Sequence, residues 1–217
     1  MNNFMFKTLI ERKLIDLNSK AGKAYQKIKA SLEVAIREKK SKVIGFISVN
    51  HNEGKSTALL NIANSFASIG KKVLVIDADN KGASLHLYFA LPNEKGLSDI
   101  ILDDAKVDEC IVSTGQNFDL ITSGKEVEYT DSISGSDKIS KLLDELKEKY
   151  DLIFVNVAPT KSSNDAVLLA HVIEGFVLVI KRKSTKSTDL DGALKYLTLN
   201  QKINLIGFIA TNAKSKF

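Results

Sequence analysis

Six short apolar runs, at 43–49, 72–76, 118–122, 152–157, 176–180 and 205–211, recur along this 217-residue chain, and helix-patterned segments separate most of them. That alternation leaves few folds open. The runs are near-continuous Val, Ile, Leu and Phe rather than alternating apolar and polar, which suits strands covered by helices on both faces. Leu59, Ile62, Ala63 and Phe66 fall at helical spacing, as do Ile139, Leu142, Leu143 and Leu146, then Leu190, Ala193, Leu194 and Leu197. Such helices supply the right-handed crossovers that parallel strands need. The expected fold class is α/β, a mostly parallel sheet with helices on both faces. Before the first run, Tyr25, Ile28, Leu32, Ala35 and Ile36 share one helical stripe. Residues 1–40 therefore read as an N-terminal helical segment docked on one compact domain over 41–217. The polar, aperiodic stretch 125–137 reads as a loop.

Composition narrows the classes further. With 44% hydrophobic residues the chain can bury its own core, and its lone Cys110 builds neither a disulfide framework nor a metal cluster. Cys110 reads as a small buried hydrophobe. No apolar run reaches the roughly 18 to 20 residues of a membrane span, and the N-terminus lacks a signal-peptide cleavage site, so a cytoplasmic location is expected. The 31 Lys and Arg against 26 Asp and Glu give a net charge of +5, open to nucleic acid, an anionic surface or a phosphorylated ligand. At the N-terminus, Phe4, Met5, Phe6, Leu9 and Ile10 beside Lys7, Arg12 and Lys13 fit either a helix lying on a membrane surface or one packed on a partner.

The first run leads into Asn50-His51-Asn52-Glu53-Gly54-Lys55-Ser56-Thr57 and then directly into an amphipathic helix. Strand, tight loop with Gly-Lys-Ser, and helix make a phosphate-binding P-loop, in which backbone N–H groups and the helix N-terminus converge on an anion. Gly54 lets the backbone approach closely, Lys55 reaches the β- and γ-phosphates, and the Ser56 hydroxyl suits Mg²⁺. The first glycine of the strict pattern is replaced by Val49. Asn52 to Thr57 are the expected nucleotide-binding residues. The second run ends in Asp77-Ala78-Asp79, carboxylates at the ligand-binding edge of a parallel sheet. They suit a metal ion or the proton of an attacking nucleophile, although Asp79 could instead cap a short helix near Lys81. Lys55, Asp77 and Asp79 are thus the catalytic candidates, and Ser56, Asp77 and Asp79 the metal candidates.

The P-loop followed by VLVIDAD, then KYDLIFVNVAP, Asn164-Asp165-Ala166 and the closing LIGFIATN, resembles the bacterial tyrosine kinases of capsule and exopolysaccharide assembly. These belong to the P-loop NTPase branch that includes the MinD and ParA ATPases. The resemblance runs from Ala24 to about Asn212 and takes in the helix KAYQKIKASL. It implies ATP and Mg²⁺, phosphorylation of tyrosines mainly on neighbouring protomers, and a polysaccharide co-polymerase membrane protein as activator. It also implies a place at the inner face of the membrane through that partner, self-association or a partner kinase chain, and no specific nucleic acid. Asn212 falls where relatives place an adenine-contacting asparagine.

Several positions depart from the family pattern. Asn156 stands where the third acidic motif has aspartate, which removes a charge supporting Mg²⁺ while keeping hydrogen-bonding shape. Lys81 replaces an arginine and cannot grip a phosphate bidentately. Lys23, Gln26 and Lys29 replace the Glu, Arg and Arg of the ring-assembly motif, and the family's C-terminal tyrosine cluster has no counterpart before Phe217. The five tyrosines are Tyr25, Tyr88, Tyr129, Tyr150 and Tyr196. Three readings follow: an ATP-dependent tyrosine kinase, a weakly catalytic regulatory partner of a membrane co-polymerase, and a MinD/ParA-like positioning ATPase. The last would carry a second lysine early in the loop, where this chain has Asn50. His51 reads as a solvated loop residue, and His86 and His171 as packed or surface histidines. The run Lys181-Arg182-Lys183 reads either as a solvated loop or as a contact for an anionic partner.

Overall fold

A computed structural model describes residues 14–128, 130–199 and 202–212. The N-terminal stretch with Phe4 to Lys13, and Tyr129, lie outside the described residues. Helix α1 (Lys20–Lys39) is capped by Ser19, whose hydroxyl accepts from the Gly22 N–H, and it stops where Lys40 turns left-handed at φ 53°. Then follow β1 (Val43–Ser48), α2 (Lys55–Ala67) and β2 (Val73–Asp77). Helices α3 (Leu97–Leu102) and α4 (Val107–Cys110) precede the short strands β3 (Ile111–Ser113) and β4 (Asp119–Ile121). After α5 (Asp131–Ser134) and α6 (Asp137–Lys149) come β5 (Leu152–Asn156), α7 (Asp165–Leu168), β6 (Gly175–Lys181), α8 (Ser187–Leu199) and β7 (Leu205–Thr211).

Among the described residues the strands form one sheet in the order β3-β4-β2-β5-β1-β6-β7. All neighbours are parallel except the edge pair β3–β4. The α/β expectation holds, with one strand added. β3 escaped the sequence reading because its three residues are half-buried or exposed and lack a continuous apolar run. The expectation of a plain loop over 125–137 is corrected as well. Ile133 and Ser134 are buried within α5, and Asp137 opens α6 behind the N-cap Ser136.

The central strands are buried from end to end, because each face of the sheet carries its own apolar layer. On one face Leu32 and Ile36 of α1 and Leu59, Ile62 and Phe66 of α2 pack on Ile44, Phe46, Val75 and Phe154. On the other, Leu142, Leu143 and Leu146 of α6 and Ala193 and Leu197 of α8 pack on Ile47, Ile76 and Ile153. Two of the three positions of the ring-assembly motif turn back on their own chain. Lys29 pairs with Glu33 at 2.8 Å and lies 5.3 Å above the Phe66 ring, and Gln26 donates to the Leu17 carbonyl. The parallel strands bring the C-terminal ends of β1, β2 and β5 side by side, through the registers Phe46 with Asn156 and Asp77 with Asn156. No helix among the described residues is long and apolar enough to cross a membrane.

Candidate active site

The turn from β1 into α2 wraps a cavity of about 350 Å³ lined by His51 to Thr57 together with Asp79, Ser84, Tyr88 and Pro159. Two backbone positions set its shape. Asn52 has φ 59° and Gly54 φ 86°, a left-handed step that glycine makes without steric cost. Space also demands glycine at Gly54, since a Cβ there would come within 3.0 Å of the Thr211 methyl. The N–H groups that open α2 have no acidic side chain in the first turn to satisfy them, so they face an anion site.

Lys55 is almost fully buried, and its ammonium sits at the foot of the cavity. It donates to Asp79 Oδ2 at 3.0 Å, to Asn156 Oδ1 at 2.7 Å and to the Val157 carbonyl. Asn156 in turn donates through Nδ2 to Asp77 Oδ1 at 2.7 Å. One carboxamide thereby joins the lysine to the buried carboxylate.

The two aspartates at the end of β2 do different things. Asp77 is fully buried and accepts from Asn156, from the Asp79 N–H, and from the N–H groups of Ser84 and Leu85. Burial pushes its carboxyl above the usual carboxylate range, against the hydrogen bonds from Asn156 and Leu85. Its oxygens point at protein, so it organises the 79–88 loop. Asp79 lines the cavity, with one oxygen on Lys55 and the other accepting from the Gly82 N–H. That bond makes a tight turn, and the next helical residues are His86–Tyr88 instead of a helix at Lys81. Ser56 and Ser84 share a hydroxyl hydrogen bond of 3.2 Å, and Thr57 and Tyr88 one of 2.9 Å.

Glu53 belongs to the frame of the loop. Its carboxylate is buried and accepts from the Val49 N–H, Asn50 Nδ2 and the Thr185 hydroxyl, while its carbonyl accepts from the Thr211 hydroxyl at 2.7 Å. Thr185, Thr211, Ser84 and Tyr88 were not anticipated from the sequence. Position alone offered a signal, since Thr185 and Thr211 follow or end strands at the edge where the loop lies. Asn212 stands apart from the P-loop cavity. It lines a second, more apolar cavity of about 720 Å³ with Tyr25, Ile28 and Ile209. His51 is exposed at the cavity wall, and Cys110 is buried.

The donor set fits the implied groups. The site offers backbone N–H groups and one buried ammonium for a polyphosphate, and hard oxygens from Ser56 and Asp79 for Mg²⁺.

Comparison with known proteins agrees. A family model described as an AAA domain matches residues 41–203. Tyrosine-protein kinase YwqD of Bacillus subtilis is 31% identical over 88% of this chain and 80% of its own length. The chain belongs to the bacterial tyrosine-protein kinase family. Another family member, tyrosine-protein kinase CpsD of Streptococcus pneumoniae, is 27% identical over 90% of this chain and 86% of its own length. The kinase domain of Escherichia coli tyrosine kinase ETK superposes with a TM-score of 0.88 at 23% identity, covering 94% of this chain and 80% of that one. The septum site-determining protein MinD from Pyrococcus horikoshii, solved with Mg-ADP, has a TM-score of 0.64 at 23% identity, covering 81% and 72%. The bacterial tyrosine kinase fold therefore extends over nearly all of this chain, P-loop included.

Proposed function

We propose that this chain binds ATP with Mg²⁺ in the cavity above β1 and transfers the γ-phosphoryl group to tyrosines of another polypeptide in capsular or exopolysaccharide biosynthesis. The observation that carries this reading is the buried Lys55 ammonium, held by Asp79, Asn156 and Val157 at the foot of a P-loop cavity. The kinase names of its relatives support it.

Backbone N–H groups from Gly54 to Thr57 cradle the phosphates, and Lys55 stabilises charge that develops on the γ-phosphate during transfer. Ser56 and Asp79 would hold Mg²⁺, which would supply charge neutralisation of the polyphosphate. The phenolic oxygen displaces ADP from the γ-phosphorus, and the phenol proton passes to a carboxylate. Asp79 lines the cavity and takes that part; Asp77 positions it from behind.

We place the acceptor tyrosine on another chain, because the four tyrosines among the described residues are engaged or half-buried. Tyr88 is committed to Thr57, Tyr150 to Asp119 at 2.8 Å and Tyr196 to Asn164 at 2.9 Å, while Tyr25 is half-buried. A membrane protein of the polysaccharide co-polymerase type is the proposed activator, and it would bring this chain to the inner face of the membrane.

A second reading, a nucleotide-binding regulatory partner with weak catalysis, is favoured by one feature: Asn156 stands where the family has aspartate. Incubation with γ-labelled ATP, Mg²⁺ and a tyrosine-rich polypeptide separates the two. Label in phosphotyrosine, lost in Lys55→Met, supports the kinase. Tight nucleotide binding without phosphotyrosine replaces it with the regulatory partner.

A further inference from the structure

Two hydroxyl residues meet on the wall of the P-loop cavity. Ser56 stands in the first turn of α2, and Ser84 in the loop that follows β2, 28 residues further on. Both are half-buried, both line the cavity, and their oxygens lie 3.2 Å apart. Ser84 is fixed from behind. Its N–H donates to Asp77 Oδ2 at 3.2 Å, and the Leu85 N–H donates to the same oxygen at 3.1 Å. Asp77 is fully buried at the end of β2, so it anchors this loop from inside the protein. Asp79 holds the same loop through the Gly82 N–H at 3.1 Å.

The spacing of the two hydroxyls suits an ion. Mg²⁺ takes six oxygens in an octahedron at about 2.0–2.1 Å. Neighbouring oxygens of such a shell stand √2 times that distance apart, about 2.9 Å. The 3.2 Å between the Ser56 and Ser84 oxygens is within about 0.3 Å of that edge. A hydroxyl pair at this distance exchanges its shared proton for a shared cation when each O–H turns outward and offers a lone pair. The site also needs the oxygen. Of Asp77, Asp79 and Asn156, only Asp79 lines the cavity.

We propose that the Ser84 hydroxyl is a protein ligand of Mg²⁺, adjacent to Ser56 in its coordination shell, with Asp77 positioning it through the backbone. This inference rests on the ATP·Mg²⁺ reading of the cavity and adds a residue to it. A hydroxyl contributes an oxygen but no charge, so the metal is held chiefly by Asp79 and the nucleotide's own phosphates. Metal loading then replaces the Ser56–Ser84 hydrogen bond and ties the 79–88 loop to the ion.

Fluorescence titration with ribose-labelled ADP tests this without any phosphoryl transfer. In the unmodified chain Mg²⁺ should tighten nucleotide binding. Ser84→Ala should raise the Mg²⁺ concentration needed for half of that effect about tenfold or more. Its binding in a chelator should stay within about twofold, because backbone N–H groups and Lys55 hold the phosphates without metal. Ser84→Thr keeps the hydroxyl and should need Mg²⁺ within about threefold of the unmodified chain. Ser84→Cys should lose Mg²⁺ as Ser84→Ala does, yet respond to Zn²⁺ at concentrations about tenfold lower than Ser84→Ala, since a thiolate is the softer ligand. The lone native Cys110 is buried, which leaves the new thiol to meet the metal. The proposal is overturned if Ser84→Ala needs no more Mg²⁺ than the unmodified chain, or loses nucleotide equally with and without metal. A Ser84→Cys protein no more responsive to Zn²⁺ than Ser84→Ala overturns it too. Each of these results leaves the ATP·Mg²⁺ reading standing. An unmodified chain whose nucleotide affinity ignores Mg²⁺ overturns both, so the two failures are told apart.

Discussion

Asn156 and Asp77 are joined by a 2.7 Å hydrogen bond in which the amide Nδ2 donates to the carboxylate Oδ1. A carboxylate at 156 could not make that bond, because two ionised acids would present only acceptors to each other. In this chain the amide compensates a fully buried charge, and its oxygen still serves Lys55. Asn156 therefore stabilises the cluster without metal, at the expense of an acidic ligand.

The variant Asn156→Asp should reverse that balance. In a chelator it should lose about 1–3 kcal/mol of stability, the cost of leaving a buried group without its partner. Added Mg²⁺ should recover most of the loss. Thermal unfolding with and without Mg²⁺ measures both, and the unmodified protein should respond less to the metal.

Lys55→Met removes the cation that Asp79 faces in the buried pair. Breaking such a pair on one side costs about 3 kcal/mol, and the phosphate loses its ammonium. Nucleotide affinity should fall at least tenfold in a fluorescence titration, while chemical denaturation reports the stability loss.

The latch on Glu53 should matter to nucleotide affinity although neither threonine is expected to touch a phosphate. Thr185→Val leaves the buried Glu53 carboxylate one donor short, and Thr211→Val does the same to the Glu53 carbonyl. Each should cost about 1–2 kcal/mol in stability. Calorimetric titration should show weaker ATP binding in both, with a larger loss in Gly54→Ala, where left-handed backbone and the Thr211 methyl both oppose a Cβ.

How much of this was legible in sequence depended on the range of the contact. Gly54, Lys55 and Ser56 are neighbours between a strand and a helix, and the Asp77–Asp79 step ends an unmistakable apolar run. The partition of labour between those aspartates was not legible, because it rests on which oxygen meets Asn156 and which meets Lys55, across 79 and 24 residues. The latch spans 132 residues to Thr185 and 158 to Thr211. Hydroxyl residues in loops carry no periodic mark. β3 was missed for a related reason, since an edge strand with one neighbour need not be apolar.

Asp165 gives the fold a pH dependence. Its carboxylate is fully buried, and among the described residues no donor meets either oxygen in hydrogen-bonding geometry, although the hydroxyls of Ser163, Ser134 and Thr130 lie close enough to ease its charge. Burial raises its carboxyl above the ordinary carboxylate value. The folded state therefore holds this proton more tightly than the unfolded state does. The contribution is fully present below the ordinary value near 3.8, declines as pH rises through the raised value and levels off above it. Asp165→Asn should flatten that decline and raise stability at pH 8 relative to the unmodified chain. Melting curves from pH 4 to 8 decide it; an unchanged slope in the variant removes Asp165 as the cause.

The most direct measurement is single-turnover transfer from γ-labelled ATP·Mg²⁺ to a tyrosine-bearing acceptor, with the unmodified chain, Lys55→Met and Asn156→Asp compared side by side. The expected result is phosphotyrosine from the unmodified chain, none from Lys55→Met, and a rate higher by about 10- to 100-fold from Asn156→Asp, the usual effect of a residue that supports a metal site. Absence of phosphotyrosine from both the unmodified chain and Asn156→Asp, with nucleotide still bound, would contradict it.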